Sequence, residues 1–134
     1  GVPVRRGSAG PRFSHVPGGG LAANPARVLP QGLVATVDRA TWELPAIFKL
    51  VSELGNVPLA DLERTLNLGV GMVAIVSAEA ADAAVARLND RGVPSWIMGT
   101  VTADSDSILT TGPDYVPGAK GVDGGAVRLV NAYA

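Results

Sequence analysis

The chain's only histidine stands three residues ahead of three consecutive glycines, in the stretch Ser14-His15-Val16-Pro17-Gly18-Gly19-Gly20-Leu21. An imidazole suits proton transfer near neutral pH. No carboxylate adjoins His15 in sequence to orient it, so a structural histidine at a strand end is the alternative. Glycines admit a ligand close to the backbone and present unencumbered N–H groups. Asn24 follows as a candidate N-cap, its side-chain oxygen accepting from the first free amides of a helix. Pro25 suits the first helical position, where no N–H is needed. A glycine run feeding a helix start in this way is a plausible anion cradle. Without a P-loop lysine it is equally readable as a plain turn. Arg27, one helical turn on, has the fork geometry to grip a phosphate or to pair with a carboxylate such as Asp38. Asn67, Gly69 and Gly71 form a further cluster of small and turn-forming residues, suited to tight backbone geometry.

These residues need a scaffold, and the apolar spacing outlines one. Phe13–Val16 reads as the end of a short strand before the glycines. Leu33, Ala35 and Val37 alternate with Val34 and Thr36 as in a half-buried strand. Pro45 opens a helix over about 45–54, with Ile47, Val51 and Leu54 on one stripe and Gly55 as its stop. A second helix starts at Pro58, carrying Leu59, Leu62 and Leu66 on one face and Asp61 and Glu63 near its positive end. The continuous apolar run Val70–Val76 predicts a central strand buried on both faces. Ser77 is placed to cap a helix with Ala81, Ala84, Val85 and Leu88 inward, ending at Gly92. The charges Asp82, Arg87, Asp90 and Arg91 form its solvated side. Trp96–Val101 predicts another strand, and Trp42 and Trp96 are core or interface residues. Residues 102–124 look turn-like, and Ala126–Val130 predicts a last strand at an edge. Alternating strands and helices of this kind build an α+β or α/β domain.

Composition narrows the function. The chain has 134 residues, 47% of them hydrophobic, enough for one domain with a real core. A net charge of −1 and 4% aromatic residues argue against nucleic-acid binding by phosphate neutralisation or base stacking. No apolar run approaches the roughly 18–20 residues that span a bilayer. The absence of cysteine excludes disulfides and thiolate metal sites and is compatible with a reducing cytoplasm. No metal site is expected among these residues.

The segment His15–Pro30 resembles the H-[IV]-T-G-G-G-[FL]-x-x-N-x-x-R-V-L-P motif of the aminoimidazole ribonucleotide (AIR) synthetases, the phosphoribosylformylglycinamidine cyclo-ligases. His15, Gly18, Gly19, Gly20, Leu21, Asn24, Arg27, Val28, Leu29 and Pro30 match it. The likeness continues through Asp38-Arg39, Trp42, Pro45–Phe48 and Gly55–Val57. It is strong again at Glu63–Val73, which is similar to the family's R-T-F-N-M-G-[IV]-G-M segment. Together the matches run from about His15 to Gly99. The resemblance implies an α+β fold, a mixed sheet with helices packed on it and a partial likeness to the ferredoxin-like fold. Residues 1–12, rich in Gly, Pro and Arg with no apolar period, read as a disordered or non-family lead-in. Residues 13–134 would then form an incomplete C-terminal domain, inactive alone, whose partner is an N-terminal ATP-binding domain or the second subunit of a homodimer.

The implied reaction closes formylglycinamidine ribonucleotide to AIR at the expense of ATP. Both ATP and Mg2+ would be held mainly by the other domain. His15 would be the catalytic residue at the cleft between the domains. Gly18, Gly19, Gly20, Asn24, Arg27, Asn67 and Gly69 would surround substrate or nucleotide phosphate. Three residues depart from the pattern. Leu66 and Leu68 are mild apolar swaps, but Pro17 in place of threonine removes a hydroxyl and a backbone donor. Two alternatives stand beside this reading. One is a non-catalytic packing module. The other is a domain of a related ATP-dependent enzyme, such as a thiamine-phosphate kinase or selenophosphate synthetase; the stretches 42–57 and 63–73 favour the purine enzyme.

Overall fold

The computed structural model describes residues 11–103, 115–117 and 125–134. The expected lead-in and most of the turn-like stretch 102–124 lie outside them. The elements are β1 (Arg12–His15), α1 (Ala23–Val28), β2 (Leu33–Asp38), a 3₁₀ turn (Arg39–Thr41), α2 (Ala46–Gly55), α3 (Leu59–Thr65), β3 (Met72–Ile75), α4 (Ala78–Asp90), β4 (Gly99–Ala103), β5 (Tyr115–Pro117) and β6 (Ala126–Val130), the expected order with the 3₁₀ turn and β5 added. The fold is α+β. Strands β1 and β3 form an antiparallel ribbon, and the other four form a mixed sheet of order β4-β2-β6-β5. Within that sheet β2 and β6 run parallel, and the outer pairs are antiparallel.

The centre of the sheet differs from the expectation. The run Val70–Val76 yields only β3, which among the described residues pairs with β1 alone and is buried on one face. Val73 and Ile75 pack on the core, whereas Met72 and Ala74 point outward. An internal strand is instead β2, between β4 and β6, where Val34, Ala35 and Val37 are all buried. Nor is β6 an edge strand, because β5 covers its outer side. The composition of residues 102–124 concealed β5.

Helix ends follow local chemistry. Pro45 and Pro58 are the N-cap residues of α2 and α3. The left-handed turn that stops α2 is at Asn56, φ 54°, one residue beyond the expected Gly55. Ser77 does occupy the N-cap of α4, without a side-chain bond to it. That helix lies only half-buried on Ala81, Ala84 and Val85, with Leu88 exposed. Two apolar clusters form the interior. The larger joins α1 and the sheet through Leu21, Ala26, Leu29, Val127 and Leu129, with Trp42 at its border. The smaller, Leu44, Leu62 and Leu68, sits under α2 and α3, and Tyr133 packs on both. On α2, Ile47, Leu50, Val51 and Leu54 make an i, i+3, i+4, i+7 stripe that faces outward, Leu54 being 79% exposed.

Candidate functional site

The glycine loop emerges from β1 and is shaped by α3. Gly19 donates its N–H to the Thr65 carbonyl at 3.1 Å, and Leu21 donates to the Glu63 carbonyl at 3.2 Å. Gly19 and Gly20 take φ of +106° and +95°, which glycine adopts without the steric cost of a side chain. A Cβ on Gly20 would lie 2.6 Å from the Arg64 carbonyl oxygen, so the loop and α3 touch backbone to backbone. This corrects the expectation of three free glycine amides, since that of Gly19 is occupied.

Asn24 is likewise not the N-cap. Helix α1 begins at Ala23, with Ala22 in the capping position and no side-chain cap. Buried Asn24 instead donates through Nδ2 to the Gly20 carbonyl at 2.8 Å, bracing the loop from its other side. Pro25 consequently falls within the first turn rather than at its first residue.

Between loop and α3 opens a cavity of about 470 Å³. Its walls are Gly19 and Gly20, Ala22 and Ala23 of α1, Leu59, Ala60, Glu63 and Arg64 of α3, Arg39, and the C-terminal residues Leu129, Asn131, Ala132 and Tyr133. That volume suits a small organic ligand, and a mostly apolar wall with a few convergent polar groups is the usual chemistry of such sites.

The polar groups form one network. Arg39 donates to both carboxylate oxygens of Glu63, from Nε at 2.8 Å and Nη2 at 2.7 Å, and from Nη1 to the Asn131 carbonyl at 3.1 Å. The Tyr133 hydroxyl also donates to Glu63. Arg39 and Glu63 side chains are only 13% and 11% exposed, which favours a two-pronged, charge-assisted pair. Burial first, and then the Glu63 carboxylate, push the Tyr133 hydroxyl up from its ordinary value, so it remains a donor. At the rim, Asn131 donates to Asp38, which also accepts from the Ala40 N–H; the Asn131 bond is the larger cause holding that carboxyl below its usual range. Arg64 lines the cavity with its side chain 70% exposed, 3.4 Å from Asp61.

Of the residues singled out in the sequence, the cavity brings together Gly19 and Gly20, with Asn24 behind them. His15 does not line it. Strand alternation turns Ser14 and Val16 inward and leaves Phe13 and His15 on the outer face of the ribbon, His15 opposite Met72. The histidine and the glycine loop therefore face different ways: sequence proximity sets distance along the chain, whereas strand parity sets direction. Gly18 and Arg27 are exposed outside the cavity wall, and Asp38 is held by Asn131 and Ala40 rather than by Arg27. Asn67 and Gly69 close a turn, Gly69 donating to the Asn67 side chain at 3.0 Å. There Gly69 has φ +94° and would press a Cβ onto Pro45. Sequence reasoning missed Arg39, Asn131 and Tyr133 as site residues and placed Glu63 only beside a helix end.

A family model described as the AIR synthase related protein, C-terminal domain, matches residues 12–112. A Streptomyces fradiae protein provisionally named as a phosphoribosylformylglycinamidine cyclo-ligase is 58% identical over 95 residues, 71% of this chain and 52% of that protein. Proteins named phosphoribosylformylglycinamidine cyclo-ligase from Pseudothermotoga lettingae and Burkholderia cenocepacia are 36% identical over 110 residues and 48% over 99 residues. These alignments cover 82% and 74% of this chain but 28% of either relative. The chain thus spans about half the length of the first relative and little over a quarter of the other two.

Proposed function

This chain belongs to the AIR synthase related C-terminal domain family, and from that premise we propose that residues 13–134 serve as the C-terminal domain of a phosphoribosylformylglycinamidine cyclo-ligase. The observation that carries the proposal is the family match over residues 12–112, a span that contains both long motifs. The reaction proposed for the complete enzyme is ATP-dependent closure of formylglycinamidine ribonucleotide to AIR in cytoplasmic purine synthesis. ATP activates the amide oxygen, a nitrogen attacks that carbon to close the ring, and the oxygen leaves as phosphate.

In this reading the chain supplies one wall of a site completed by an N-terminal ATP-binding domain, within a homodimer. The glycine loop and its cavity would hold part of the substrate or nucleotide, with Asn24 bracing the loop. Arg27, Asn67 and Gly69 would flank it. His15 stands on an exposed face beside Phe13 and Met72, where it is available to a group held between the two domains. Among the described residues no three His, Cys, Asp or Glu side chains converge on a cation position. Magnesium, which proteins hold through one or two carboxylates together with substrate phosphate, is assigned in this reading mainly to the N-terminal domain, and no step is routed through it. The exposed α2 stripe favours a second reading, a packing module, and one experiment separates the two. Residues 12–134 replace the corresponding domain of the Burkholderia cenocepacia relative, and AIR formation is followed by colorimetric detection of the arylamine. An active chimera that loses activity on His15→Ala supports the enzyme reading. A folded chimera that makes no AIR refutes it.

A further inference from the structure

The geometry points to Glu63 as the positioning residue of the glycine loop: its side chain is clamped by Arg39 and Tyr133 while its own carbonyl holds the loop. The inference rests on the reading that this loop is a ligand wall. Three successive glycines have no side chains with which to fix their own path, so the path must be imposed from outside. Helix α3 imposes it, through the Thr65 carbonyl on Gly19, the Glu63 carbonyl on Leu21, and the backbone contact at Gly20.

Yet α3 has only seven residues, too few to persist without tertiary anchors. Its buried residues are Leu62 and Glu63. Leu62 enters the smaller apolar cluster, an attachment that leaves the helix free to slide and turn because apolar contact is non-directional. The Glu63 carboxylate supplies the direction. It is gripped at both oxygens by Arg39, just beyond the end of β2, and by Tyr133, just beyond the end of β6. Those two strands are parallel neighbours in the sheet. A single residue thereby links the sheet, through its side chain, to the loop, through its main chain.

Hydrogen exchange followed by NMR on the full chain, with no ligand added, tests this. Glu63→Gln keeps size and burial but removes the charge, and Tyr133→Phe removes one donor while keeping the ring against Trp42, 5.3 Å away between centroids. In Glu63→Gln the Gly19 and Leu21 amides should exchange about 10- to 100-fold faster, the scale of losing a charge-assisted bond locally. The amides of Val16, bonded to the Gly71 carbonyl, and of Asp38, bonded to the Met98 carbonyl, should keep their wild-type rates. Tyr133→Phe should accelerate the same two amides to a smaller extent and serves where Glu63→Gln does not fold. Unchanged exchange at Gly19 and Leu21 overturns the inference. So does equal acceleration at all four amides, which would make Glu63 a general stabiliser of the fold. Because no substrate enters the measurement, its outcome is independent of the chimera's activity.

Discussion

Alanine placed in turn at Gly18, Gly19 and Gly20 should give three graded and predictable losses, because each position lacks a side chain for a different reason. Gly18 has open space where a Cβ would stand and does not have the positive φ of its neighbours. Alanine there loses no contact and restricts the unfolded chain, so it should be neutral or stabilise by about 0.4–1 kcal/mol. Gly19 has φ +106° with only the Asn24 amide nitrogen nearby, at 3.9 Å. The backbone penalty of about 1–2 kcal/mol, offset by the same entropic gain, leaves a net loss of roughly 1 kcal/mol. Gly20 combines φ +95° with a Cβ 2.6 Å from one α3 carbonyl oxygen and 2.7 Å from another. Backbone cannot swing aside as a flexible side chain would, so overpacking of about 1–3 kcal/mol adds to the backbone penalty. The net loss should be about 2–4 kcal/mol. For a urea slope of a small domain this lowers the unfolding midpoint by roughly 1–2 M, within easy reach of fluorescence detection through Trp42 and Trp96. The order Gly20, Gly19, Gly18 is the essential outcome. Gly20→Ala as benign as Gly18→Ala would refute the close contact between loop and α3, and with it the positioning role of Glu63.

The Arg39–Glu63 pair should behave as a nearly buried ion pair: Arg39→Ala and Glu63→Ala each cost about 3 kcal/mol in urea unfolding. The double variant should cost clearly less than the sum, and strict additivity would show that the pair contributes nothing. Stability should fall at both pH extremes for separate reasons. Asp38 is held below its ordinary 3.8 in the folded chain, so its contribution is present above that value and fades as pH drops through the lower folded value. Tyr133 is raised above its ordinary 10.0, so its contribution is present below pH 10.0 and is lost as pH rises beyond it. Urea midpoints against pH should show Asn131→Ala flattening the acid limb and Tyr133→Phe the alkaline one; unchanged limbs would contradict these assignments. Leu54→Lys on the outward stripe of α2 should change stability by no more than about 0.5 kcal/mol and reduce self-association in sedimentation. A loss of about 2 kcal/mol would mean that the stripe is buried.

The helices and the order of elements were legible because each rests on local chemistry: prolines at two helix starts, a left-handed residue at a stop, apolar residues three and four apart. Which strand lies at the centre was not. An unbroken apolar run such as Val70–Val76 looks buried on both faces, but what packs on each face decides that, and β3 turns Val73 and Ile75 to the core while Met72 and Ala74 stay exposed. Thr36 on the same face as Val34 disguised β2 as a one-sided strand, although Val34 is buried along with Ala35 and Val37.

The site divides in the same way. The glycine run, a local feature, was visible at once. The Glu63 clamp was not, because Arg39 is 24 residues away and Tyr133 70 residues away, and neither carries a local sign of its partner. Read locally, Glu63 is an acidic residue favoured near the start of a short helix. Read in the fold, the same carboxylate lies against the ends of two parallel strands, where Arg39 and Tyr133 are brought side by side only after the sheet has formed. Asn24 shows the converse error. Its position before a proline marks a helix start correctly to within two residues, yet its amide group turns back to the Gly20 carbonyl rather than forward to the helix amides. A capping rule assumes that free N–H groups are the unmet need. In this chain the glycine loop brings an unpaired carbonyl into a buried place, and a buried acceptor left alone is costly enough to claim the asparagine. The demand of the loop thus outweighs the demand of the helix end, and that competition is settled by tertiary burial, which no short window of sequence contains.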